Sequence, residues 1–193
     1  MEIMKQTLKS FAFSALVLSF LSAPAFAAGM TEKGVKAGIN MANLTGDDVS
    51  DNSNKMGFTV GGFGVWDMGN NLSVQIDALY TQKGAEFTGA TLSQNYIDVP
   101  VMARYSMPVS GMNVNLLAGP YLGLLLSADY DGTDTKDTTT SMDYGLQFGA
   151  STIVQKQYLI DVRYSMGLVT IDDTSPAADV KHSGILITGG YLF

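Results

Sequence analysis

From Gly34 onward, apolar and polar side chains alternate with a period of two, and runs of Gly, Asn, Asp and Ser break the alternation at intervals. A period of two belongs to β-strands, whose successive side chains point to opposite faces. The pattern predicts strands over Gly34–Leu44, Met56–Met68, Leu72–Lys83, Asn95–Met107, Met112–Ala128, Met142–Val154, Tyr158–Ile171 and Ser183–Phe193. An even number of strands lets an antiparallel sheet close on itself, and about ten residues is enough for a tilted strand to cross a bilayer. Helical periodicity is almost absent from this part of the chain.

The two faces differ sharply in chemistry. In the third strand Leu72, Val74, Ile76, Ala78 and Tyr80 share one face, and Ser73, Gln75, Asp77 and Thr81 the other. The fourth sets Ile97, Val99, Val101, Ala103 and Tyr105 against Asp98, Met102, Arg104 and Ser106. Strands one, six and seven behave alike and place Lys36, Asp143, Asp161 and Arg163 on the polar face. Strands two and five are weaker, with Gly and apolar residues on both faces. In the last strand Ile185, Ile187, Tyr191 and Phe193 form the apolar face, opposite Leu186, Thr188, Gly190 and Leu192.

Periodicity alone does not say which face points inward. A soluble lipocalin-like barrel keeps its apolar face inside, and a membrane barrel turns it out. Three observations favour the membrane. The connections alternate, short at Asp67–Asn71, Pro108–Gly111 and Gln155–Gln157, long and polar at Thr45–Lys55, Gly84–Gln94, Asp129–Ser141 and Asp172–His182. Short turns on one rim and long loops on the other are how outer-membrane barrels separate a periplasmic from an extracellular side. Aromatics on the apolar face gather near strand ends, with Trp66, Tyr105, Tyr158 and Tyr191 by the short turns and Phe58, Tyr80 and Tyr144 by the loops, as two interfacial girdles would. Finally, an eight-stranded barrel is only wide enough inside for side chains, where charges must pair. Lys36, Asp77, Asp98, Arg104, Asp143, Asp161 and Arg163 form a set able to do so, predicted here as a structural ion-pair network around Arg104 and Arg163. Both Pro100 and Pro120 remove a ladder donor, which predicts a bulge or bend in their hairpin.

The front of the chain supplies the compartment. Lys5 and Lys9 precede an apolar stretch, Phe11–Leu21, and Ala25-Phe26-Ala27 follows as a small-x-small cleavage pattern. Residues 1–27 are therefore expected to be a cleavable signal peptide, and residues 28–193 a single barrel domain. Composition narrows the function further. The net charge of −7 without a basic patch excludes nucleic acid as a partner. With no Cys, closed hydrogen bonding rather than disulfides must hold the exported chain. No stretch outside the signal is apolar for long enough to span as a helix, so any crossing is made by strands.

Four segments, Gly34–Gly46 (GVKAGINMANLTG), Asn95–Tyr105 (NYIDVPVMARY), Ala118–Tyr130 (AGPYLGLLLSADY) and Asp143–Ser151 (DYGLQFGAS), resemble the small outer-membrane β-barrel proteins labelled porin-family or PorT-like. Arg163–Ile171 and the closing Gly-Gly-Tyr-Leu-Phe are similar too, so the resemblance spans nearly the whole mature chain. It implies an all-β, eight-stranded antiparallel up-and-down barrel in the outer membrane of a Gram-negative envelope. Tyr191 and Phe193 then serve anchoring and presentation to the outer-membrane assembly machinery. The family defines no shared catalytic residues, and no cofactor is implied.

Residues that could carry chemistry are few. His182 is the single histidine and stands beside Ser183 in the last long connection. Adjacent strand residues face opposite ways, a poor geometry for base and nucleophile, so His182 is expected to be a solvated loop residue. The acidic run Asp129–Asp137 fails the EF-hand pattern, since Gly132 comes too early and Thr140 stands where Glu belongs. It reads as a solubilising tip, with weak divalent binding that bridges lipopolysaccharide phosphates as the alternative; no defined metal site is expected. The leading expectation is a non-enzymatic, monomeric outer-membrane barrel with a filled polar lumen and a structural or interaction role at the cell surface, set among outer-membrane lipid and lipopolysaccharide. A narrow passive pore is the alternative, and a rim lipid-modifying enzyme or a soluble lipocalin-like binder stands behind it.

Overall fold

A computed structural model of the chain describes residues 29–46, 52–170 and 180–193. The expected signal peptide lies outside these residues. Eight long strands, β1 (Met30–Thr45), β2 (Asn52–Gly69), β3 (Leu72–Phe87), β4 (Ala90–Val109), β5 (Met112–Tyr130), β6 (Met142–Val154), β7 (Tyr158–Gly167) and β8 (Lys181–Leu192), pair antiparallel with their chain neighbours. β8 also pairs with β1, from Gly34↔Leu192 to Thr45↔Lys181, and this seam closes the barrel. No strand of the wall is left with a free edge along its middle, which removes the usual liability of a sheet.

The short turns fold as their residues dictate. Asn70 and Asn71 at the β2–β3 turn have φ of 55° and 64°, and Ser110 and Gly111 at β4–β5 have 49° and 84°. Two consecutive left-handed residues match the twist of a two-residue hairpin, and Asn and Gly tolerate that conformation best. At the β6–β7 turn Gln155 and Lys156 take the same region, at 53° and 60°.

Two connections differ from expectation. Gly84–Gln94, expected as a loop, is a paired ribbon in which Gly84↔Ser93, Ala85↔Leu92 and Phe87↔Ala90 are partners around a tight turn at Thr88–Gly89. Alternation simply continues there: Ala85 is buried with Leu44, and Phe87, Leu92 and Val180 pack against them. The β5–β6 connection folds back on its own strand, with Asp129↔Asp134 and Tyr130↔Thr133 paired, before a single 3-10 turn at Lys136–Thr138. The prolines do not shift the register either. The register is the same at Pro100↔Tyr121 and at Ala103↔Ala118, although the ladder is interrupted between them, and the bulge lies where Asn95↔Ser127 gives way to Tyr96↔Leu125. Each proline keeps a partner on one side, Pro100↔Tyr121 and Pro120↔Leu146, and the ladder is interrupted on its other side, as a missing N–H donor requires.

The barrel is inside-out relative to a soluble one. Val35, Ile39, Phe58, Val101, Leu116, Leu124, Phe148, Ile160 and Ile187 are exposed on the outer face, while Gln75, Asp77, Asp98, Asn115, Gln147 and Arg163 are buried in the lumen. An exposed apolar band around a polar interior is stable only where the outer solvent is lipid. Some positions of the wall admit only glycine, because the backbone of the paired strand comes too close for a Cβ. A Cβ on Gly149 would run into the Val162 carbonyl oxygen, and one on Gly38 into that of Ile187.

Candidate functional site

The lumen is the chemically distinctive part of the molecule, and its charges fall into two layers. Nearer the short turns, Lys36 on β1 reaches Asp77 on β3 at 2.6 Å and Asp161 on β7 at 3.2 Å. Arg163 on β7 donates from Nη1 to Asp77 Oδ2 at 2.7 Å. It also grips Asp161 twice, from Nη2 at 2.6 Å and Nε at 2.9 Å. Asp161 and Arg163 stand two residues apart on one strand, so alternation puts both in the lumen. Gln75 Nε2 completes the set with a bond to Asp77 Oδ1 at 2.8 Å. Every member is buried. Two cations facing two carboxylates, with charge-assisted bonds at short range, is the arrangement that burial demands.

One step nearer the long loops, Lys83 on β3 bridges Asp98 on β4 and Asp143 on β6, at 2.9 Å each. Its ammonium also lies 4.7 Å from the ring centres of both Tyr96 and Tyr121, within the range of cation–π attraction. Tyr121 donates its hydroxyl to Asp143 Oδ2 at 3.1 Å. His182 on β8 sets Nδ1 3.2 Å from the same oxygen and Nε2 2.7 Å from Gln94 Oε1. Its ring also meets Tyr96 edge-on, with centroids 5.5 Å apart.

Arg104 joins neither layer. It forms a bidentate pair with Glu32 at the short-turn end, at 2.5 and 3.1 Å. Beside it an apolar cluster of Phe63, Val65, Leu159 and Leu192, with Ile153 against it, fills the lumen floor. The expected single network around Arg104 and Arg163 is thus three separate groups. Lys36, Asp77, Asp161 and Arg163 come together, Asp98 and Asp143 form the second layer, and Arg104 is apart. The reason is distance along the barrel axis, which periodicity does not encode.

Among the salt-bridge partners, Glu32, Lys83 and His182 lie outside the expected set. His182 is a correction, because it is a buried lumen residue of β8, 3% exposed, and not a solvated loop residue. Parity carries the missing signal, since Lys83 shares its face with Asp77 and Thr81, and His182 with Leu186 and Thr188. Lys83 is the last residue of the expected third strand, and His182 stands one residue before the expected last strand. The His182 ring nitrogens face Asp143 and Gln94, not Ser183.

At the short-turn rim Tyr191 accepts from Gln157 Nε2 at 3.0 Å and packs edge-on against Tyr158 at 5.9 Å. The Phe193 N–H donates to the Lys33 carbonyl at 3.1 Å, and the Lys33 ammonium lies 5.7 Å from its ring centre. At the opposite rim the acidic run turns its carboxylates on itself. Asp129 accepts from the Gly132 N–H and Asp134 from the Lys136 N–H, each at 2.9 Å.

A family model described as outer membrane protein beta-barrel domain matches residues 22–173. The chain belongs to that family. It is an integral outer-membrane β-barrel, and the exposed apolar band described above is its lipid-facing surface. Among solved structures, Ail, the attachment invasion locus protein of Yersinia pestis, is 18% identical with a TM-score of 0.52, over 84% of this chain and 98% of its own. Neisserial surface protein A is 20% identical with a TM-score of 0.54, over 83% and 96%. These likenesses are of fold. No curated protein sequence matches the chain.

Proposed function

We propose that this protein is a closed, side-chain-filled barrel that acts as a structural and interaction element of the cell surface, without catalytic activity and without a permanent pore. The observation that carries this reading is the pair of ion layers, which tie β1 and β3 to β7, and β3 and β4 to β6 and β8, across the lumen. A cavity of about 10 Å³ between β1 and the loop-side layer holds no more than a water. Solute passage would require breaking several buried charge pairs at once, each costly to open.

The short turns then face the periplasm, and with them both termini, while the β3–β4 ribbon and the β5–β6 connection face outward. Lipopolysaccharide is the proposed neighbour of the outer leaflet, the assembly machinery meets the Tyr191–Phe193 rim during insertion, and the inserted protein is a monomer. An epitope placed between Asp131 and Gly132, an exposed turn, tests the orientation. Antibody binding to intact cells is the expected result. An epitope reached only after the cells are permeabilised would overturn the reading.

A further inference from the structure

Asn40 is a buried polar residue of β1. Its Nδ2 donates to the Gln82 carbonyl at 2.8 Å, but the Asn40 Oδ1 acceptor, on a residue 2% exposed, has no donor. An unpaired buried carbonyl is costly unless something small supplies the hydrogen. Asn40 lines the cavity of about 10 Å³, whose wall also includes Thr81, Lys83, Asp98, Ser165 and Ser183.

We propose that this cavity is a binding site for one ordered water, which joins β1 and the β1–β8 seam to the loop-side ion layer. The volume matches a single water and little else. The lining decides against an ion of either sign. Lys83 brings an ammonium that repels a cation, and Asp98 brings a carboxylate that repels an anion, while the hydroxyls of Thr81, Ser165 and Ser183 both donate and accept. A water can donate to Asn40 Oδ1 and to Asp98 and accept from Lys83 or a hydroxyl, which gives it the two to four partners that buried waters hold. The site lies where β8 begins, next to Ser183 and Gly184, so its occupant ties the closing seam to charges on β3 and β4.

Crystals of the whole protein grown in rubidium bromide test this, because both ions scatter anomalously. The expected map has one peak within hydrogen-bond distance of Asn40 Oδ1 and no anomalous signal there. An anomalous rubidium or bromide peak in the cavity, or an empty cavity, overturns the proposal. Asn40→Leu removes the acceptor and fills the space, so its crystals should lose the peak; a peak that persists in that variant also overturns it. Wild-type crystals alone decide the matter if the variant does not fold.

Discussion

The two ion layers are made of the same residue types, and they balance charge differently. Near the short turns, Lys36 and Arg163 both contact both Asp77 and Asp161, so either carboxylate keeps a partner if one cation is lost. Near the loops, Lys83 is the one lysine or arginine on Asp98 and Asp143 among the described residues, joined by two tyrosine rings and by His182. The first layer is redundant and fully charge-matched. The second rests on one ammonium, and it is also the layer beside the cavity. Redundancy, more than the number of charges, should therefore decide how each layer responds to substitution.

Lys83→Met should have the largest effect, because it strands two buried carboxylates together. Breaking a buried pair in this way costs about 3–5 kcal/mol, read as a shift in urea unfolding in lipid vesicles with Trp66, the single tryptophan, as the reporter. If that variant matched wild type, the loop-side layer would not rest on Lys83. Arg163→Met removes three charge-assisted bonds but leaves Lys36 in place, so about 3 kcal/mol is expected. Lys36→Met leaves the bidentate Arg163 grip intact and should cost about 2 kcal/mol. Equal losses for Lys36→Met and Lys83→Met would erase the distinction between the layers.

A coupling experiment sharpens the contrast. In the Lys83→Met background, Asp98→Asn removes a charge that has no cation and should recover part of the loss. In the Lys36→Met background, Asp161→Asn should lower stability further, since it weakens two of the three charge-assisted bonds of Arg163 and leaves only Asp77 as its charged partner. A double-mutant cycle on each pair measures this directly. Arg104→Ala is the mildest of the set, at about 1 kcal/mol or less, because Glu32 is partly exposed at the rim and surface pairs contribute little.

Much of this architecture is written in a period of two. The eight strands, the faces of all but the second and fifth, and the closing β1–β8 seam follow from alternation and from turn residues such as Asn70-Asn71 and Ser110-Gly111. Strand ends were less legible. Gly84–Gln94 is rich in Gly, Thr and Ser, the composition of a loop, yet the lumen pattern runs on through Ala85 and Leu92. For the same reason Lys83 and His182 stood at margins where alternation looked finished. The partition of charges into layers was not legible at all. It depends on how strands are staggered around the barrel, which sets Arg104 beside Glu32 and away from Asp77. That Asp98 and Asp143 share one lysine depends on the same stagger.

Single-channel recording in planar bilayers tests the filled lumen most directly. Purified wild-type protein, shown to be inserted by its heat-modifiable migration, should give no sustained conductance steps. The Lys83→Met/Arg163→Met double variant, with both layers broken, should give small cation-preferring steps, because carboxylates then dominate the lumen. Sustained steps from the wild-type barrel would contradict the account.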